Sequence, residues 1–96
     1  MTVLYEPQAR QELADAVAYY EAISPELADR LLDVEDAAIR RIMQLPSAWP
    51  PLKGGLRRCI LDVFPYQIIY RVEAETIRIF AFAHLSRRPQ YWRDRI

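Results

Sequence analysis

The chain has 96 residues, 27% of them charged, and its 13 basic and 13 acidic side chains cancel. That length allows one domain, residues 1–96, with a small but adequate core. No apolar run of about 18 residues is present to span a membrane, and no basic segment leads into an apolar one as in an export signal, so a cytoplasmic protein is expected. One cysteine and one histidine exclude an internal disulfide and a zinc site of the His/Cys type. The two glycines, adjacent at Gly54-Gly55, make no phosphate-cradling loop, and no cofactor or metal is expected.

Thr2 to Tyr5 is a short apolar run that suits one strand. Pro7 follows where proline is welcome, at the first turn of a helix, with Glu6 and Glu12 near its positive end. Ala9, Leu13, Ala16, Val17 and Tyr20 recur at helical spacing, which predicts a helix over residues 7–22. Ser24-Pro25-Glu26 reads as a second start, with Ser24 as N-cap. Leu27, Leu31, Val34, Ala38, Ile42 and Leu45 then mark one stripe of a longer helix that ends at Pro46. Residues 49–55 form a loop.

Three strands complete the chain: Arg58 to Phe64, Tyr66 to Val72 and Thr76 to Ala83, punctuated by Pro65 and by Glu73-Ala74-Glu75. The short connection makes the last two antiparallel. Counting directions along the chain places the N-terminal strand antiparallel to both the strand that begins near Arg57 and the strand that ends at His84. Strict alternation puts Cys59, Leu61, Val63, Tyr66, Ile68, Tyr70, Val72, Ile77, Ile79, Ala81 and Ala83 on the side the helices cover. The other side carries Arg58, Ile60, Ile69, Arg71, Phe80, Phe82 and His84. The expectation is an α+β fold of order β-α-α-β-β-β, a helical hairpin on one face of a mostly antiparallel sheet of about four strands. The helix-free side holds more apolar area than a solvated face needs. Either a partner docks there or the C-terminal segment folds back over it.

Zero net charge hides a polarity. Residues 1–48 hold nine acids and four arginines (4 − 9 = −5), whereas residues 49–96 hold Lys53 and eight arginines against four acids (9 − 4 = +5). An arginine-rich half suits recognition of carboxylates or phosphates, and it equally suits pairing with the chain's own acidic helices. The densest cluster is His84, Arg87, Arg88, Tyr91, Trp92 and Arg95. As a site, His84 would move a proton, the arginines would hold anionic oxygens, and the aromatics would stack on a base or a guanidinium. As architecture, Pro89 would end the strand and Tyr91 and Trp92 would pack back as anchors.

The order and spacing of these segments resemble the RelE/ParE superfamily, the toxins of type II toxin–antitoxin systems. The resemblance rests on Pro7-x-Ala9, Ser24-Pro25, Leu45-Pro46, Arg57-Arg58, Phe64-Pro65-Tyr66-x-Ile68-Ile69-Tyr70-Arg71-Val72 and His84-x-x-Arg87-x-Pro89-x-Tyr91-Trp92. It implies the same β-α-α-β-β-β fold, plasmid stabilisation as biological context, and neutralisation by a small antitoxin with an acidic C-terminal segment. RelE-like members cleave mRNA on the ribosome with basic side chains whose positions would fall near Arg58, Ile60, Gln67 and Arg87. Two of these four are not basic, and each lost donor to a developing phosphorane costs ~2.7–4 kcal/mol. The chain is more similar to the ParE branch, which implies inhibition of DNA gyrase by protein binding instead of catalysis. The alternative is an mRNA endoribonuclease with Arg58, His84 and Arg87 as catalytic candidates. The antitoxin- and target-binding residues are expected to be Arg58, Ile60, Ile69, Arg71, Phe80, Phe82, His84, Arg87, Arg88, Tyr91 and Trp92.

Overall fold

Proline starts both helices where the sequence places them. In a computed structural model that describes residues 1–96, strand β1 (Thr2–Tyr5) leads into α1 (Pro7–Ile23) and α2 (Pro25–Gln44), each with proline in its first turn. Ser24 occupies the N-cap position of α2, but its hydroxyl donates to Glu26 Oε2 at 2.8 Å and leaves the backbone uncapped. Strands β2 (Arg57–Ile60), β3 (Tyr66–Glu73) and β4 (Thr76–His84) complete a four-stranded sheet of order β1-β4-β3-β2. The helices cover one face. Leu31, Ile42, Cys59, Ile68, Tyr70, Ile77 and Ile79 are buried in the core between the layers. Burial raises the Cys59 thiol pKa, so this cysteine is a small core residue.

The direction of β1 differs from the sequence expectation. It pairs with β4 in parallel, Thr2 opposite Thr76 and Tyr5 opposite Ile79, while β3 is antiparallel to both β2 and β4. Strands β1, β2 and β4 therefore all run the same way. The connection after α2 does not simply turn back into β2; it first crosses the domain. The Tyr70 hydroxyl holds it there by donating to the Pro46 carbonyl at 2.7 Å.

Strand β2 is also shorter than expected, because two tight turns replace its second half. Phe64 N–H donates to the Asp62 carbonyl and Tyr66 N–H to the Phe64 carbonyl, each spanning only three residues. Val63, at the first apex, has φ of 57° and is 73% exposed, so it lies outside the core where alternation put it. A β-branched residue in this region is strained.

The largest correction concerns β4. Ile69 faces Ala81 but Tyr70 faces Ile79, so Phe80 is an extra, bulged residue. The bulge shifts the alternation by one position. Phe80 stays on the side away from the helices, whereas Phe82 turns to the helix side and stacks on Tyr66 with ring centroids 4.8 Å apart. Ala81 and Ala83 take the opposite face with Ile69, Phe80, Leu56 and Trp92. That face is covered: Ile69, Phe80, Ala81 and Ala83 are all buried, and Trp92 of the C-terminal segment closes over them. Of the apolar residues expected to form an open patch, Ile60 alone remains exposed, at 47%.

One buried carboxylate gives stability a pH dependence. Glu35 on α2 is buried against β1 and accepts a hydrogen bond from the Tyr5 hydroxyl. Burial, with a smaller contribution from Asp36, raises its pKa to about 7. The folded state thus holds a proton that the unfolded state releases from its ordinary carboxylate range upward. Stability contributed by this group is intact in acid, falls as pH rises toward 7, and is flat above that. The total loss is roughly 3 kcal/mol. Urea titrations at about pH 5 and pH 8 should show the decline, and Glu35→Gln should remove most of it.

Candidate functional site

The site is built on a backbone problem at the edge of β4. Strand β1 accompanies β4 only as far as Ile79, whose carbonyl takes the last pairing hydrogen bond from Glu6 N–H at 2.8 Å. Beyond that point the Phe80 carbonyl and the Phe82 N–H face no strand, and buried backbone groups need partners. Two side chains from opposite ends of the chain supply them. Glu12 Oε1 on α1 accepts from Phe82 N–H at 3.1 Å, and Arg95 Nη1 donates to the Phe80 carbonyl at 3.1 Å. The two side chains also hold each other, through contacts of 2.8 and 3.0 Å between the guanidinium and both carboxylate oxygens. The Tyr91 hydroxyl donates to Glu12 as well, and burial together with that carboxylate pushes the phenol pKa up to about 12. Glu12, Tyr91 and Arg95 therefore fasten the C-terminal segment to the sheet while Trp92 seals it.

This fastening decides which arginines are free. Arg71 pairs with Glu73, and Arg78 with Glu6 and Glu73; both guanidiniums lie against the Phe80 ring, 5.0 and 5.1 Å from its centroid. Arg93 donates to the Lys53 carbonyl at 2.8 Å. Two pairs, Arg78–Glu6 and Arg95–Glu12, thus join the basic half to the acidic one, while Arg71–Glu73 lies within the basic half. Arg58, Arg87 and Arg88 are exposed and make no ion pair. All three line one cavity of about 240 Å³ between the sheet and the C-terminal segment, together with Gln67, His84 and Trp92. A second cavity, of about 590 Å³, lies on the α1 side and is lined by Tyr19, Tyr20, Tyr66 and Tyr91. His84, Arg87 and Tyr91 line both.

The His84 and Tyr66 rings meet in a T-shaped arrangement, at 5.0 Å between centroids. Ser86 N–H donates to its Nδ1 at 3.0 Å, so in the neutral ring the proton resides on Nε2. Two guanidiniums crowd the Tyr91 ring, that of Arg87 3.9 Å from its centroid and that of Arg95 5.1 Å away. Trp92 is buried and has Arg93 over its ring at 4.8 Å. The stacking surface suggested by the Tyr91-Trp92 pair is filled by the chain's own guanidiniums.

The structure thus brings together Arg58, His84, Arg87, Arg88, Tyr91 and Trp92 around the smaller cavity, with Ile69 on its wall. It separates Phe82, which lies on the helix side, and neutralises Arg71 in an ion pair. Phe80 is buried beneath the arginines, and Ile60 is an exposed residue of β2 outside either cavity. Sequence reasoning missed the role of Glu12. Its signal was a carboxylate beside the apolar stripe Ala9-Leu13-Ala16, a position that calls for a buried partner. It also missed Tyr19, an exposed aromatic on the wall of the larger cavity.

The comparisons agree with this architecture. A solved chain of the chromosomal ParDE toxin–antitoxin system from P. aeruginosa superimposes with a TM-score of 0.78, covering 90% of this chain and 97% of that one at 21% identity. A family model described as the ParE toxin of the type II toxin–antitoxin system parDE matches residues 3–89. Toxin ParE2, from two strains of Mycobacterium tuberculosis, is 37% identical over 79 residues, which is 81% of this chain and 75% of the relative. The fold and these matches define a toxin of the type II toxin–antitoxin class. Within that class the chain belongs to the ParE family, and membership implies a cognate antitoxin as partner.

Proposed function

We propose that this toxin acts by binding proteins, with DNA gyrase as its cellular target and its antitoxin as the neutralising partner, in the cytoplasm and in the context of plasmid stabilisation. The observation that carries this reading is the state of the arginine cluster. Three guanidiniums without an ion pair surround a cavity whose neighbouring aromatic rings, Tyr91 and Trp92, already carry guanidiniums of the chain. Such a surface suits carboxylates on a polypeptide better than stacked bases. The resemblance to RelE-like nucleases would further call for positive charge at Ile60 and Gln67, which supply none to a developing phosphorane. No helix is long and apolar enough to cross a membrane.

A second reading is ribosome-dependent mRNA cleavage, favoured by Arg58, His84 and Arg87 lining one cavity. Two assays on the purified chain separate the two. The expected result is loss of gyrase supercoiling at micromolar toxin with no new ends on translated mRNA by primer extension. Unchanged supercoiling together with new mRNA ends that vanish in His84→Ala would reverse the assignment.

A further inference from the structure

The two cavities meet at a common wall, and their linings differ in kind. The smaller holds the unpaired guanidiniums of Arg58, Arg87 and Arg88; the larger holds four tyrosines and the acidic side chains Glu12 and Asp15. We propose that they are two halves of one peptide site, which takes an aspartate or glutamate in the smaller cavity and an aromatic side chain of the same segment in the larger. This rests on the protein-binding reading and specifies the chemistry of the partner.

Size and charge support the pairing. The smaller cavity, about 240 Å³, falls below the ~300–1,000 Å³ of small-molecule sites. It suits one side chain, and its three unpaired cations select a carboxylate. The larger cavity, about 590 Å³, is aromatic and wide, and Tyr19 on its wall is 62% exposed, its ring meeting that of Tyr20 at 5.1 Å between centroids. Its acids decide what can continue across the shared wall. Arg95 and Tyr91 engage Glu12, whereas Asp15 is exposed and bonded only to Gln11 of its own helix. A nucleic acid running from one cavity to the other would bring phosphates toward Asp15 and would find the Arg87 and Arg95 guanidiniums already at the Tyr91 ring. A segment with one carboxylate and one neutral aromatic side chain meets attraction at one end and apolar contact at the other. Trp or Tyr at that end could also donate to Asp15.

The test uses the full chain labelled with ¹⁵N and synthetic peptides in which glutamate and tryptophan are separated by one, two or three alanines. At least one spacing should shift amide signals both near Arg87–Tyr91 and near Tyr19. Replacing the peptide's glutamate by glutamine, or introducing Arg58→Ala or Arg88→Ala, should weaken binding roughly tenfold. Tyr19→Ala should weaken only peptides that carry tryptophan. All three substitutions are at exposed positions, and the dispersion of the amide spectrum reports that they fold. Equal affinity for the glutamine peptide, preference for an oligothymidylate, or no shift at millimolar peptide would overturn the proposal. If gyrase is still inhibited in that case, protein-based inhibition stands and the bipartite site falls. If the peptides bind and gyrase is untouched, the site stands and the target does not.

Discussion

Glu12→Ala is expected to release the C-terminal segment and to cost up to about 3–5 kcal/mol, the penalty for removing one member of a fully buried ion pair, here largely but not wholly buried. The substitution leaves the Tyr91 hydroxyl and the Phe82 N–H without a partner and strips the Arg95 guanidinium of its counter-ion, leaving it only the Phe80 carbonyl. The side chains of the pair are only 13% and 15% exposed, so water does not readily replace what is lost. In a domain of this length each kcal/mol lowers the melting temperature by roughly 4–8 °C, so a fall of more than ~10 °C is expected. Glu12→Gln keeps an acceptor for Phe82 N–H and should cost less. The double variant Glu12→Ala/Arg95→Ala should cost less than the sum of its parts, because each single change already breaks the same contact. Full additivity would show that the two side chains act independently.

Trp92→Ala is the second large effect, about 3–5 kcal/mol as for other buried aromatics. Trp92 lies over Ile69, Phe80, Ala81 and Ala83 on the face that the helices do not reach. Its removal leaves a void there and exposes the sheet. Urea denaturation should show a lower midpoint, and the dye ANS should bind the uncovered face. Trp92→Phe should recover part of the loss. A midpoint unchanged by Trp92→Ala would mean that the C-terminal segment does not cover the sheet in solution.

Both effects arise from features that the sequence shows unequally. Strand β1 and the two helices were legible to within a residue, because Pro7, Pro25 and Pro46 punctuate apolar stripes of clear period. The burial of Trp92 was one of two open readings of the C-terminal segment, and the covered face agrees with it. The side taken by Phe82 was not legible: one bulged residue, Phe80, inverts every later position, and nothing in a run of Ile, Phe and Ala marks where the extra residue falls. The parallel β1–β4 pairing depends on a loop whose path is fixed by contacts outside any local pattern, among them the bonds from Tyr70 to Pro46 and from Arg57 to Trp49 and the packing of Trp49 on the core. The Glu12–Arg95 pair joins residues 83 apart, a separation at which no local pattern operates. The candidate site was legible as a set of residue types. Which arginines are free was not, since that depends on partners assigned only by the fold.

Hydrogen exchange on the toxin, alone and saturated with its cognate antitoxin, tests most directly whether the surface around the two cavities receives another polypeptide. Binding there should slow exchange at Arg58, Gln67, Leu85 to Arg88 and Tyr91, and around Tyr19 and Tyr20 on α1. Protection confined to α2 and the outer edge of β1, with these segments unchanged, would contradict it.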